Sequence, residues 1–236
     1  MSVQIERAFK NTINTSGVNL MSSVVIHGFP VSPYVRSARI VLIEKGIDYR
    51  FNEIGFDYLK TDEYAKLNPF GRMPVLEHGD FVLYETPAIL GYVDEAFAGP
   101  SLQPTDAKAR AQVRKWIGIA ANYLYTVGVM QLFLQRIMSP IMGGIPDEVV
   151  VAESANITSH HLDVLEKELA TSFIVGNTLT LADIITGSMV YYVNMTKEGS
   201  ALIKARPKTA AWLDNLSQQQ SFQQTLAGLL EGKAQG

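Results

Sequence analysis

No cysteine occurs among the 236 residues. That absence excludes disulfides, a cysteine nucleophile and thiolate metal sites together. It also fits a reducing compartment, so a cytoplasmic location is expected. Histidine is scarce, at four, and tryptophan scarcer, at two. Charge is sparse and balanced, with 20 basic and 23 acidic side chains and a net charge of −3. A chain so balanced lacks the basic stripe that nucleic acid or an anionic membrane surface would require, and neither is expected as a partner. The first twenty residues lack the apolar stretch of a secretory signal. They are polar and rich in Asn, Thr, Ser and Gly toward their end, and residues 1–22 read as a flexible extension.

What the chain does have is apolar bulk. Hydrophobic residues make up 47% of it, which places it among folded globular proteins. Its length suits one large domain or two small ones, able to bury on the order of 70% of the surface exposed when unfolded. Trp116 to Gln135 carries no formal charge and is long enough to span a bilayer. Asn122, Tyr123, Tyr125, Thr126 and Gln131 interrupt it, so we read it as a buried helix with polar groups facing a cleft.

Residues 23–100 alternate short strands and helices. SVVIHG (23–28) is β-rich and ends at Gly28. Pro33 to Lys45 has apolar residues at helical spacing and a stop at Gly46. Tyr49 to Ile54 reads as a strand, and 56–67 as irregular with a helical turn or two. PVLEHGDFVLY (74–84) is a hairpin around His78-Gly79-Asp80. Thr86-Pro87 opens a helix through Phe97. This β-α-β, β-β-α order predicts a small mixed sheet with helices packed on it. Residues 98–106 are a linker by composition. Beyond it the signal is helical: Ala107 to Met138, stopped before Pro140; Asp147 to Leu169, with Asp147 as N-cap; Leu181 to about Lys197; and Lys208 to Leu230. The second half, 107–236, is expected to be an all-α domain of four to six helices.

Three short motifs could carry chemistry. In V-S-P-Y-V-R (31–36), Ser32 is a natural N-cap and Pro33 a natural first-turn residue. A capped helix explains the pair by itself. A hydroxyl at a strand-to-helix turn, beside the positive end of a helix dipole, would also stabilise a thiolate. Pro74, in N-P-F-G-R-M-P-V-L (68–76), stands at the start of a strand. A trans bond is the ordinary expectation there, since about 5–6% of X–Pro bonds are cis. A cis Met73–Pro74 bond would turn the Met73 backbone toward a ligand. In Y-E-T-P-A-I (84–89), Thr86 would cap a helix whose free amides suit a carboxylate, and Glu85 beside them suits an ammonium. A carboxylate and an ammonium side by side describe the end of an amino acid. A first-turn Glu complementing the dipole is the plainer reading of Glu85 taken alone.

Together, in this order and spacing, the motifs resemble the cytosolic glutathione transferase family. The resemblance covers almost all of residues 23–230: Ser32 after the first strand, N-P-F-G-x-x-P at 68–74, E-T at 85–86, and T-L-A-D at 180–183 before an apolar helix. The Ser-type site is most similar to the phi and theta classes and their bacterial relatives. The resemblance implies a thioredoxin-like α/β N-terminal domain (23–100) that binds glutathione, and an all-α C-terminal domain (107–236) that lines the electrophile pocket. It implies Ser32 as catalytic residue, with Lys60, Arg72, Met73, Pro74, Glu85 and Thr86 at glutathione. Phe29, Tyr34, Tyr123, Val127 and Met130 are the candidates for the electrophile pocket, and Tyr34 is an alternative thiolate donor.

Three positions depart from the family pattern. Thr86 replaces the more usual serine, Leu59-Lys60 stands where a His-Lys pair is common, and Arg72 where Gln is common. Glutathione is then a co-substrate, with no cofactor and no metal. A small hydrophobic electrophile is the second substrate, and a homodimer is expected, with Phe70 inserted into its partner. A glutathione-dependent isomerase or dehalogenase, or a non-catalytic glutathione- or protein-binding member, are the alternatives. His160 and His161 are adjacent and point about 100° apart on a helix, so they read as surface residues rather than a chelate. Thr180-x-x-Asp183 reads as a helix-capping box rather than a catalytic pair.

Overall fold

A computed structural model describes residues 24–226. The extension read at 1–22 and the end of the last helix, beyond 226, lie outside the described residues.

The first part is a four-stranded sheet in the order β2-β1-β3-β4. β1 (Val24–Gly28) runs parallel to β2 (Tyr49–Glu53) and antiparallel to β3 (Val75–His78), which pairs antiparallel with β4 (Phe81–Tyr84). The parallel pair needs a crossover, and α1 (Pro33–Glu44) supplies it. A single turn at Tyr58–Lys60 and the short α2 (Asp62–Ala65) cover one face of the sheet, where Ile54, Tyr64 and Val75 form a small core. α1 and α3 (Thr86–Ala96) cover the other.

The second part is helical. α4 runs unbroken from Ala107 to Ile141. Pro140, read as a stop, lies instead in the last turn, and the helix runs on to Ile141. From Ala120 to Met138 it is wound more widely than an α-helix, so that the Ser139 N–H bonds back five residues to the Leu134 carbonyl. α4 is apolar and long enough to cross a membrane by composition, but here it packs against α5 (Glu148–Glu168) and α6 (Leu181–Asn194). α7 (Lys197–Lys204), α8 (Pro207–Gln218) and α9 (Gln220–Gln224) follow. The sequence predicted one helix through Lys197. Instead α6 ends at Asn194 and Thr196 caps a new helix, its hydroxyl accepting the Gly199 N–H at 3.0 Å. The break also brings Gly199 against the Val193 carbonyl, closer than any Cβ could come. The helix expected from Lys208 is likewise split at Gln219.

One hydrophobic core runs through both parts, from Val24 and Ile26 under the sheet to Leu216 and Phe222 in the last helices. α1 packs directly on α6. The connecting stretch 98–106 is linker-like in composition, yet it is stapled in place. The buried Lys45 ammonium donates to the carbonyls of Asp94 and Pro100, both at 3.0 Å, and the Asp94 carboxylate accepts the Leu102 N–H at 2.8 Å.

Candidate functional site

Three turns converge on a cleft of about 950 Å³. The first joins β1 to α1. Gly28 ends β1 because the Val35 side chain lies where a Cβ would be, so α1 seats close against the strand end. Ser32 then caps α1, its Oγ accepting the Val35 N–H at 3.3 Å and its carbonyl accepting the Arg36 N–H at 2.9 Å. Accepting that bond leaves the Ser32 hydroxyl proton available to donate, and Ser32 lines the cleft.

The second turn runs from Asn68 to Pro74. The Asn68 side chain is buried; it accepts the Phe70 N–H at 3.0 Å and donates to the Arg72 carbonyl at 2.7 Å. The Tyr64 hydroxyl donates to the same carbonyl at 2.8 Å. These bonds fix the backbone just ahead of Met73. The Met73–Pro74 bond is cis, and both residues line the cleft with Arg72. The Met73 thioether accepts the Phe29 N–H at 3.1 Å and ties the second turn to the first.

The third turn joins β4 to α3. Thr86 was expected to cap α3. The cap position falls instead on Glu85, at φ 72°, and Thr86 is the first helical residue, buried. The reversed φ at Glu85 swings the chain over so that the helix starts one residue early. A non-glycine residue in that region carries backbone strain, which collects at ligand sites. Pro87 has no N–H, so Thr86 and Ala88 carry the free amides of the first turn. Glu85 and Thr86 both border the cleft.

α4 forms the opposite wall. Ile117, Ala121, Tyr125, Val129, Phe133 and Met138 face the cleft. They recur at intervals of four or five residues, matching the wide winding rather than the usual period of about 3.6. The Tyr34 hydroxyl donates to the Ala121 carbonyl at 2.9 Å, and its ring lies 4.3 Å from that of Tyr125. Burial pushes the Tyr34 phenol well above its usual pKa, with Tyr125 and Glu85 adding to the shift and Arg72 opposing it. Burial raises Tyr125 as well.

Comparison with known proteins decides the family. The glutathione S-transferase N-terminal domain profile matches residues 26–101, and the C-terminal domain profile matches 148–215. Glutathione S-transferase 3 of Zea mays is 31% identical over 214 residues, covering 89% of this chain and 96% of its own length. The chain belongs to the glutathione S-transferase family. Glutathione S-transferase F10 of Arabidopsis thaliana is 30% identical and covers 84% of this chain and 94% of its own. Among solved structures, apo glutathione S-transferase III superposes with a TM-score of 0.79 at 33% identity, covering 87% of this chain and 96% of its own. A maize glutathione S-transferase I holding an atrazine–glutathione conjugate has a TM-score of 0.79 at 28% identity, covering 91% and 100%. The relatives are of the plant phi class, and as a member of the family this chain is a glutathione transferase.

Set in that transferase cleft, most of the residues named from sequence come together: Phe29, Ser32, Tyr34, Arg72, Met73, Pro74, Glu85, Thr86 and Met130 all border it. Three do not. Tyr123 is 57% exposed and turns its ring edge to His161 on α5, 6.0 Å away. Val127 lies off the lining as well. Lys60 also lies outside the lining; its side chain is 78% exposed, with its ammonium 3.4 Å from the Asp57 carboxylate. Asn122, one of the polar groups read as facing a cleft, does border it. Sequence reasoning missed Phe56 and Arg114, which border the cleft as well. Their types are ordinary, and only the docking of α4 on the sheet brings them there.

Proposed function

We propose that glutathione lies across the three turns, with its thiol at Ser32 Oγ, its cysteinyl backbone against Met73 ahead of Pro74, and its γ-glutamyl end at Glu85 and Thr86. The observation that carries this reading is the convergence of the Ser32 hydroxyl, the Met73 residue ahead of Pro74 and a carboxylate beside free amides on one cleft. Each complements a different part of the tripeptide. The apolar α4 wall, with Phe29, Tyr34 and Met130, then takes a small hydrophobic electrophile, and the thiolate attacks it. On this reading residues 23–100 are the glutathione-binding unit and 107–236 line the electrophile side. No cofactor or metal is required, because the sulfur is activated by hydrogen bonding and helix polarity alone. A glutathione-dependent screen over halo-aromatics, isothiocyanates, epoxides and peroxides tests the reading. Turnover of none of these classes would overturn it in favour of an isomerase or a binding protein.

Arg72 rather than Lys60 supplies the cation near the glycyl carboxylate, because Arg72 borders the cleft and Lys60 does not. Arg72→Ala is expected to raise the KM for glutathione about threefold to tenfold, the worth of one exposed charge-assisted bond of ~1 kcal/mol. Lys60→Ala should leave that KM unchanged. A reversed pattern in initial-rate measurements returns the role to Lys60.

The cytoplasm, where glutathione is kept as the free thiol, is the compartment this chemistry needs. Neither nucleic acid nor a membrane is required as partner. A homodimer is proposed on Phe70. The Asn68 turn and Gly71 at φ 58° hold the phenyl ring out, 68% exposed, with its ring edge-on to Tyr84 at 6.0 Å. A ring so presented loses apolar surface to water unless a partner covers it, and a two-fold pair covers two at once. In sedimentation equilibrium the wild type is expected to be dimeric and Phe70→Ser to dissociate at least tenfold more readily. A monomeric wild type refutes the dimer, and an equally tight variant refutes the part given to Phe70.

A further inference from the structure

The cleft does not end at Glu85 and Thr86. Pro87, Gly91 and Glu95 of α3 border it at four-residue intervals, and Arg114, Gly118 and Asn122 of α4 border it at the same interval. Residues four apart share one face of a helix. One face of each helix therefore walls a groove that runs on from Thr86 along α3. From Thr86 to Glu95 it follows roughly 13 Å of helix. Gln103 of the connecting stretch also borders the cleft, and its amide donates to the Glu95 carboxylate at 3.5 Å, so the far end lies there.

Two glycines keep this groove open. Glycine inside a helix costs about 0.5–1 kcal/mol relative to alanine. Packing accounts for Gly128, Gly187 and Gly199, where a Cβ would meet another atom at 2.7 Å or less. Gly91 and Gly118, the other helical glycines among the described residues, have no such cause, since a Cβ on either would meet nothing within 4 Å. Both border the cleft. The far end carries both signs of charge. Arg114 is exposed there and makes no ion pair or hydrogen bond among the described residues, and Glu95 accepts only the long bond from Gln103. A cation and a carboxylate at one end complement an amino-acid terminus, as the first-turn amides and Glu85 do at the near end.

We propose that the protein also takes thiol peptides extended at the amino end of glutathione by a further γ-glutamyl-cysteinyl unit. The extension lies in the groove between α3 and α4, with its terminal carboxylate at Arg114 and its ammonium at Glu95. The inference rests on the placement of glutathione proposed above. Extension converts the α-ammonium of glutathione to an amide, whose N–H still donates to Glu85. The added dipeptide spans about 7 Å when extended, and the two extra methylenes of its γ-linkage carry it further toward Arg114. The reacting cysteine stays at Ser32, so the chemistry is unchanged and the groove adds a class of thiol substrate.

The test is calorimetric binding of reduced glutathione and of reduced γ-Glu-Cys-γ-Glu-Cys-Gly to the full-length protein. The wild type is expected to bind the longer peptide at least as tightly as glutathione. Arg114→Ala should weaken the longer peptide about threefold to fivefold, the scale of an exposed ion pair, and leave glutathione unchanged. Gly91→Leu fills the groove and favours the helix, so it should keep or raise the Tm while weakening the longer peptide at least tenfold and sparing glutathione. A longer peptide bound tenfold more weakly than glutathione by the wild type overturns the proposal. So do variants that affect both peptides equally or neither. A Gly91→Leu variant that dissociates a dimer in sedimentation yet binds the longer peptide normally gives the groove to a second copy of the chain, and overturns it too. Failure of glutathione itself to bind the wild type overturns the underlying site, an outcome distinct from the others.

Discussion

Ser32→Ala is expected to lower kcat/KM for glutathione-dependent turnover by about 10–100-fold, the rate equivalent of losing a charged hydrogen bond of about 1.5–3 kcal/mol. A free thiol has a pKa of about 8.5, and helix N-termini or cationic neighbours bring it to about 7.5 or below. Lowering it by about two units takes roughly 2.7 kcal/mol of preferential thiolate stabilisation. The α1 dipole contributes about 0.3–1 kcal/mol, up to ~2 when partly buried. The remainder has to come from a donor, and Ser32 is capping α1 with its own proton unspent. The variant should therefore show a bound-thiol pKa raised by one to two units when thiolate absorbance is titrated against pH, while the KM for glutathione changes little. Tyr34, two residues on, is the competing donor by sequence. Its hydroxyl is committed to the Ala121 carbonyl at 2.9 Å, so Tyr34→Phe should retain most of the activity. Full activity in Ser32→Ala with an inactive Tyr34→Phe would falsify the assignment and move the role to Tyr34.

That contrast also marks where the sequence was legible and where it was not. Ser32, Asp147 and Thr180 cap helices through local chemistry, and local chemistry is written in three or four adjacent residues. The β3–β4 hairpin followed from turn residues such as Gly79, at φ 64°. Glu85 and Thr86 were found as a pair, but the reversed φ that makes Glu85 the cap has no residue signature. The winding of α4 was invisible for a related reason. A wide turn replaces i→i−4 bonds by i→i−5 bonds without needing any particular side chain, and it shifts every later position around the helix axis. Tyr123 and Val127 fall outside the cleft lining on this helix, while Met130 borders it. Arg36 and Lys45 look like surface residues in any local window. Their burial depends on partners at Phe222 and Asp94, far along the chain, which no local pattern can anticipate.

Asp183→Ala is expected to cost roughly 3 kcal/mol or more of stability while leaving the KM for glutathione nearly unchanged in the protein that folds. The sequence suggested a capping box, and the structure gives the carboxylate a larger part. One oxygen accepts the Thr180 N–H at 3.0 Å and the Thr180 hydroxyl at 2.7 Å. The other accepts the Ile174 N–H at 2.8 Å and the Trp212 indole N–H at 2.9 Å. Asp183 thus joins the start of α6 to the preceding loop and to α8, in the core both parts of the molecule share. Burial pushes its pKa up, and these four donors pull it back. Removing the carboxylate strands four buried donors, and each stranded group carries a penalty of about 1–3 kcal/mol. For a chain of this length, about 2–4 °C of Tm per kcal/mol gives a drop of roughly 6–12 °C. Asp183→Asn is expected to rescue little of this. All four partners are donors, so whichever way the amide is turned its NH₂ group faces two of them. No residue in this network borders the cleft, so chemistry at Ser32 should survive in the folded fraction. Thermal melts and refolding yields of both variants, set beside kcat measured on the soluble enzyme, decide the matter. A fall in kcat at unchanged Tm would give Asp183 a part in the reaction that this arrangement does not provide.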